Sequence, residues 1–204
     1  MHIRPISQRP LSLQLLRCHG GPLELGRVLD LGTSSFAGSV PEIEDRMSDP
    51  SSWSAGARYS SQQLFDVIAT VASDSLTEIF GPDLQPHGGR TFVVAEQRGI
   101  RSLGCFWAEK QRIEVDSMSK KITFVCSYQP FTLRLPITDI GLYAADHVSV
   151  DEAAVAAANE KIKACQRVLV SVGLSRAYRK SNDQPAYHWL QVNNVHSLLS
   201  AMYG

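Results

Sequence analysis

The stretch KKITFVCSYQPFTLRLPITD, residues 120–139, decides the fold, because apolar and polar side chains alternate in it twice, on either side of one turn. Alternation with a period of two is typical of β-strands, which β-branched and aromatic residues also favour. The Gln-Pro pair between the two runs indicates a tight turn. The pattern therefore predicts two consecutive strands. Their inward side chains are expected to be Ile122, Phe124, Cys126, Phe131, Leu133 and Leu135.

The segments on either side extend this pattern. They are QRIEVDS at 111–117, SVDEAAVAAANEKIKAC at 149–165, RVLVSVGL at 167–174 and AYHWLQVNNV at 186–195. The alanine-rich run predicts a helix, with Ser149 as N-cap and Glu152 three residues later; the other three predict strands. Three strands, one helix and two strands is the order of the five-stranded Greek-key barrel of an OB-fold, from about residue 111 to 195. A ferredoxin-like arrangement needs a second helix and a different order, so it fits less well.

The N-terminal half is less regular. Two apolar runs at 11–16 and 23–31, separated by RCHGGP, predict a strand pair, and the Ser- and Gly-rich residues 32–56 predict a long loop. Helical spacing predicts a helix from Ser60 or Ser61 to about Phe80. GPDLQPHGG then ends the helix, and TFVVAEQ begins as a short strand.

These elements predict a fold that is mainly β with some α (α+β), in two domains. We place an N-terminal domain with the long loop and the helix at residues 1–85, and the OB-fold domain at residues 90–204. A length of 204 residues suits two small domains or one large one.

Composition limits the classes of partner. Lys plus Arg and Asp plus Glu are 20 each, so no overall field attracts nucleic acid or a membrane surface, and any electrostatic site must be local. No apolar run approaches the roughly 18 residues of a spanning helix, and the first residues lack the regions of a signal peptide. We therefore expect a soluble, cytoplasmic protein with no membrane partner.

Sequence motifs for cofactors and metals are absent. The four cysteines form no CxxC pair and the six histidines form no HExxH spacing, so we expect buried thiols and no bound metal. GxGxxG, GxxxxGK[ST] and GxSxG are also missing. No cofactor is predicted.

Four short segments resemble the dual OB-containing domain family of bacteria and archaea. They are IRPIS at 3–7, LPITD at 135–139, VLVSVGL at 168–174 and YHWLQVNNV at 187–195. The resemblance implies two OB-like barrels, with a strand before Ile-Arg-Pro that this chain lacks. The N-terminal barrel is then expected to be incomplete, and a protein partner or a second copy would pair with its sheet edge. It further implies a nucleic-acid or nucleotide-binding module in prokaryotic defence or mobile-element systems, without catalysis.

The loop between the last two strands is the first candidate site. Residues 161–180 contain six basic residues and no acidic one, and OB-folds commonly bind oligonucleotides with this loop. Arg176, Arg179 and Lys180 are expected to contact phosphates, with Tyr178 stacking on a base. The alternative is a solvated hairpin loop whose charges serve solubility.

Two further groups could extend that site. Lys120, Lys121 and Arg134 point away from the predicted core and could continue a basic track toward residues 176–180. Tyr187 and Trp189 share one face of the last strand and could form a stacking platform. Ordinary surface lysines and core packing of the two aromatic rings are the alternatives.

Asp139, Asp146 and His147 are the only cluster that an enzyme could use, by holding a divalent ion or by acid and base catalysis. No nucleophile accompanies them, and both aspartates suit strand-end and helix-start positions. The sequence therefore predicts a non-enzymatic subunit that binds single-stranded nucleic acid or a nucleotide. An adaptor that binds only proteins is the alternative, and a metal-dependent hydrolase comes third.

Overall fold

The computed structural model describes residues 2–116, 118–183 and 185–197. Within these residues it contains thirteen strands and three α-helices. The strands are β1 (Arg4–Ile6), β2 (Arg27–Asp30), β3 (Ser34–Phe36), β4 (Asp45–Ser48), β5 (Ser54–Arg58), β6 (Ala72–Ser73), β7 (Gln85–His87), β8 (Thr91–Ala95), β9 (Leu103–Val115), β10 (Ile122–Tyr128), β11 (Phe131–Pro136), β12 (Arg167–Leu174) and β13 (Tyr187–His196). The helices are α1 (Ser61–Ala69), α2 (Leu76–Phe80) and α3 (Glu152–Lys163). Short 3-10 helices span Leu13–Leu15, Arg17–His19, Pro50–Ser52 and Ile140–Leu142.

The main sheet has the strand order β11-β10-β9-β12-β13-β8-β7, and β6 pairs with β9 in parallel. The first part of β9 pairs with β12 and the last part with β10. A register shift between Val125 and Ser127 adds a bend, as β-bulges do. The sheet curls until Ile137, just after β11, meets Val192 of β13 in a parallel bridge. This curled antiparallel sheet is compatible with an OB-like barrel.

The predicted order of three strands, one helix and two strands is confirmed, as β9, β10, β11, α3, β12 and β13. β9 begins at Leu103, earlier than the predicted residue 111, because residues 103–109 pair with β12. β8 forms where TFVVAEQ predicted a strand and pairs with β13, and β7 follows it in the sheet.

The core fills the concave side of the curl with the side chains that alternation placed inward. Phe124, Cys126 and Leu135 are 0% exposed, and Ile122 and Leu133 are nearly so. Burial of this kind stabilises by about 25 cal/mol per Å² of apolar surface.

Helix α3 lies against β9 and is held there by two side-chain amides. Its N-cap is Asp151 rather than the predicted Ser149, since the Asp151 carboxylate accepts the Ala154 N–H at 2.9 Å. Asn159 binds both backbone groups of Ile113, each at 2.6 Å. Gln111 donates to the carbonyls of Ile162 and Cys165 at the C-terminal end of the helix.

The single helix predicted from residue 60 to 80 is wrong. Ser60 does begin a helix with a capping box, but α1 ends at Ala69, β6 follows, and Ser75 caps the separate helix α2. Ser and Asp in the intervening residues compete for backbone hydrogen bonds, which favours a cap over a continuous helix. Residues of α2 pack in the same core as β9 to β13, although they precede the domain boundary that we predict.

The N-terminal part also differs from the sequence predictions. Residues 11–16 form a turn rather than a strand, and residues 32–56 contain β3, β4 and β5 instead of a long loop. β1 pairs in parallel with β4 and is an edge strand of the sheet β1-β4-β3, while β2 pairs with β5. β4 has the mostly polar sequence DRMS, which lacks the apolar residues typical of a strand, so the sequence did not predict it.

Within the described residues, no helix has the length and apolar character needed to cross a membrane.

Candidate nucleic-acid interface

A basic groove of about 490 Å³ lies between the β9–β10 loop, the start of β8 and the outer side of β11. Four cations line it: Arg90, Lys120, Lys121 and Arg134. None of the lining residues that the structure describes is acidic. Tyr143 adds an aromatic ring to the wall. We call this feature the basic groove.

Backbone contacts explain how cations from distant segments meet here. The Arg134 N–H donates to the Arg90 carbonyl at 2.7 Å, which places the residue before β8 against β11. Asp116 shapes the β9–β10 loop by accepting the N–H groups of Met118 and Ser119. These hydrogen bonds hold the pKa of Asp116 below its ordinary value, and those from Ser119 have the largest effect. The loop therefore presents Lys120 and Lys121 from a defined turn.

The four cations of the basic groove differ in how far they are neutralised. Arg134 pairs with Glu114. Burial alone would raise the pKa of Glu114, but hydrogen bonds from Arg112 and Arg134 outweigh burial, so the pKa is lowered. Lys120 makes an exposed pair with Glu152 at 3.4 Å, which is worth at most about 1 kcal/mol. Within the described residues, Arg90 and Lys121 form no salt bridge, although the charge of Lys121 does act on Asp116 and helps to lower its pKa.

The loop between β12 and β13 meets the groove at Lys180. Burial and then the charge of Lys121 lower the pKa of Lys180, so the two ammonium groups are close enough to repel each other. Arg179 is exposed and has no side-chain partner within the described residues. The charge of Lys121 therefore reaches the β12–β13 loop, while a basic track that runs from Lys120 and Arg134 to residues 176–180 stays a prediction.

The aromatic residues near this loop are less open than expected. Trp189 is 6% exposed, with the Lys180 ammonium 3.3 Å from its ring centroid and the His87 ring at 4.8 Å. Tyr187 is half-buried beside it. Tyr178 remains 47% exposed. A base could stack on Tyr178 directly, whereas stacking on Trp189 requires that Lys180 move away.

Arg176 has a different role from the one that the sequence predicted. Its guanidinium pairs with Asp45 at 2.5 Å and with Glu42 at 3.3 Å, and both carboxylates are almost completely buried. Burial opposes the charge of Arg176, but Asp45 and Glu42 more than compensate and raise its pKa. Asp45 also accepts a bond from Arg4 at 2.6 Å. Arg176 therefore ties the N-terminal sheet to the β12–β13 loop and is not free for phosphate.

The three residues of the hydrolase hypothesis have separate partners. Asp139 accepts bonds from Gly141 and Asn194, and burial raises its pKa. Asp146 accepts hydrogen bonds from the Val148 N–H and from the N–H and hydroxyl of Ser149. These bonds lower the pKa of Asp146 to about 2, and the Ser149 hydroxyl has the largest effect. His147 instead faces His19. Among the described residues, Asp139, Asp146 and His147 form no common metal or acid–base cluster.

Sequence analysis also missed the contact that the buried His196 makes in the interior. The Ser171 hydroxyl lies 2.9 Å from Nε2 of His196 and 3.5 Å from the Cys105 thiol. Burial lowers the pKa of His196 to about 4 and raises that of Cys105. A neutral imidazole with a hydroxyl partner is a satisfied buried histidine. Only the pairing of β12 with β13 and β9 brings these residues together, so no sequence spacing signals them.

A larger cleft of about 1050 Å³ separates the N-terminal part from α3 and β13. Arg58 and Lys161 line it together with Asp139 and Glu24, so its charge is mixed. It lacks the one-signed lining of the basic groove.

No family model matches this chain, and no curated protein or solved structure shows significant similarity to it.

Proposed function

We propose that the protein binds single-stranded nucleic acid in the basic groove. The observation that carries this proposal is the convergence of Arg90, Lys120, Lys121 and Arg134 on one groove without an acidic lining residue. The chain as a whole is neutral, so only a local positive field can attract phosphates. A Debye length of about 8 Å confines that attraction to close range. Arg179, Lys180 and the exposed ring of Tyr178 extend the surface and supply a stacking partner.

The finer fold proposal agrees with this site. We propose that β9 to β13 with α3 form an OB barrel, and that the N-terminal part is a second OB-like unit, as the resemblance to the dual OB-containing domain family implies. In OB-folds, oligonucleotides contact the second and third strands and the loops after the first and fourth. Under this proposal, Lys120 and Lys121 lie in the loop after the first barrel strand, Arg134 on the third strand and Lys180 in the loop after the fourth. Membership of that family, and its association with prokaryotic defence, belong to the same proposal.

A protein adaptor is the second candidate, and the N-terminal surface favours it. Leu25, Val28 and Phe36 are 61%, 43% and 62% exposed, and β1 is an edge strand. Phe36 lies on β3, the other edge strand of the same sheet, and both exposed apolar residues and unpaired strand edges are features of protein interaction surfaces. This surface is separate from the basic groove, so mutations can distinguish the two functions.

The test uses a double variant, Arg90→Gln with Lys121→Gln, because both side chains line the basic groove and neither forms a salt bridge within the described residues. Binding of a fluorescent single-stranded oligonucleotide is measured at several salt concentrations. Each phosphate contact on a single strand contributes about 0.7 to the slope of log affinity against log salt. We expect weaker binding and a slope smaller by about 1.4 for the two contacts.

The matched control is Arg9→Gln with Arg98→Gln, which removes the same charge at exposed positions outside the groove. The control should bind like the wild type. A nucleoside triphosphate is tested as a competitor to detect a preference for nucleotides. Equal affinity and salt slope in the wild type and the groove variant would refute the nucleic-acid proposal. The protein adaptor would then be the better-supported function.

A further inference from the structure

Three side chains from distant parts of the chain meet at Cys18, His19 and His147. One ligand atom of each lies within 4.8 Å of the other two. The Nε2 atoms of the two histidines are 3.4 Å apart, with the rings nearly perpendicular. Neither the basic groove nor the proposed nucleic-acid function uses any of the three residues.

The separation of the two imidazoles suits a shared metal ion. Zinc binds imidazole nitrogen at about 2.0 to 2.1 Å with tetrahedral angles, which places two such nitrogens about 3.4 Å from each other. A thiolate at about 2.3 Å completes a third vertex. Without a metal, one Nε2 must donate its proton to the other across this distance, because two protonated Nε2 atoms would repel each other.

Both ligand-bearing segments are held by their own hydrogen bonds. His19 lies in the 3-10 turn Arg17–His19, whose end is set by Gly20 at φ +90°. His147 sits at φ +54°, in the left-handed region that few residues other than glycine adopt. The Asp146 carboxylate holds that loop through Val148 and Ser149 at 2.9 and 2.8 Å. The ligands are therefore positioned before any ion binds.

The donor set identifies the class of ion. One thiolate and two imidazoles suit zinc and related transition metals, whereas magnesium and calcium require oxygen ligands. Nδ1 of His147 is shielded from solvent and has no partner among the described residues, so Nε2 is the nitrogen that can bind an ion. Cys18 and His19 are exposed, which gives an ion access from solvent.

We propose that Cys18, His19 and His147 form a binding site for a single zinc-type ion, with water at the fourth position. The ion fastens the turn at residues 17–19 to the loop before α3. Cys18 also lines the larger cleft, so the site lies at the edge of that cleft. Binding is expected to strengthen the attachment of the turn at residues 17–19 to the loop before α3.

The test uses the full chain, stripped of metal with a chelator and kept reduced with a phosphine. Co²⁺ serves as the probe because its bond to a thiolate gives a charge-transfer absorption band. We expect one Co²⁺ per chain, displacement by Zn²⁺, and a rise in melting temperature with Zn²⁺. Cys18→Ser should abolish the band, and His147→Ala should weaken Co²⁺ binding by more than the roughly 10- to 100-fold that changes around a metal ligand cause.

Cys165→Ser is the matched control, since Cys165 is partly exposed and lies outside the cluster. It should retain the band and the affinity. Cys18→Ser changes an exposed side chain and is expected to fold, which circular dichroism checks. The proposal is overturned if wild-type protein gives no thiolate band, or if Cys18→Ser and His147→Ala bind Co²⁺ as tightly as Cys165→Ser. Because the readout is metal binding, its failure would leave the nucleic-acid proposal intact.

Discussion

At the scale of single residues, Arg176 shows how tertiary contacts reassign a charge. Replacing it with Ala leaves the buried Glu42 and Asp45 without their shared cation, although Asp45 keeps Arg4. A buried acceptor that loses one partner costs about 1 to 3 kcal/mol. We therefore expect Arg176→Ala to lower the free energy of unfolding by that amount in urea denaturation.

The neighbouring Arg179→Ala is the control, because its exposed side chain has no partner within the described residues. It should change stability by less than about 0.5 kcal/mol. Equal stabilities for the two variants would show that the ion pairs of Arg176 contribute nothing. The sequence alone predicted that both arginines were equivalent loop cations.

His196 predicts a pH dependence of stability. Burial lowers its pKa from 6.5 to about 4, so between these values the unfolded chain binds a proton that the folded chain does not. The free energy of unfolding should fall as the pH is lowered through this window, by at most about 3 kcal/mol, and should not depend on His196 above it. Burial also lowers the pKa of His2, which adds a smaller effect of the same sign.

Urea denaturation of the wild type and His196→Asn between pH 4 and pH 7 isolates the effect, because other titrating groups cancel in the comparison. The variant should have a shallower slope but retain the part due to His2. If both proteins lose stability in parallel, burial does not lower the pKa of His196 in the folded state.

At the scale of elements, the sequence predicted what strict alternation or a strong cap determines. β10, β11, β12 and β13 all have apolar faces with a period of two, and each was found near its predicted place. β4 was missed because Asp45 and Ser48 are buried in it. The charge of the buried Asp45 is balanced by Arg4 and Arg176, which are remote in sequence. No local pattern contains that information.

The same distinction applies to the candidate sites. Alternation along the two strands identified Lys121 and Arg134 as pointing outward, with Lys120 next to them, so three of the four cations of the basic groove were named from the sequence. Arg90 was not, because its place depends on the approach of β8 to β11. In the cluster of Cys18, His19 and His147, the two histidines are 128 positions apart, and the expected burial of Cys18 was wrong. Such clusters follow only from the folded chain.

At the scale of the whole molecule, a short acidic segment connects the N-terminal strands with the main sheet. The Glu44 carboxylate is 5% exposed and accepts bonds from the Ser102 N–H at 3.1 Å, the Ser102 hydroxyl at 2.9 Å and the Leu103 N–H at 3.2 Å. Glu42 and Asp45 reach Arg176 on the other side. Hydrogen bonds to a charged group are worth about 1.5 to 3 kcal/mol, so these contacts decide how firmly the two parts are coupled.

Glu44→Ala tests whether residues 1–85 and 90–204 behave as separate units. The change leaves the N–H groups of Ser102 and Leu103 without their acceptor and removes a link to the main sheet. If the parts are separate, hydrogen–deuterium exchange should accelerate in β1, β3 and β4, while β10 and β12 keep their protection, because local opening reports local stability. Glu96→Ala, an exposed change in the loop after β8, should leave exchange unaltered. Equal acceleration in β10 and β12 would instead mean that the chain unfolds as one cooperative unit, and that the proposed division into two domains is wrong.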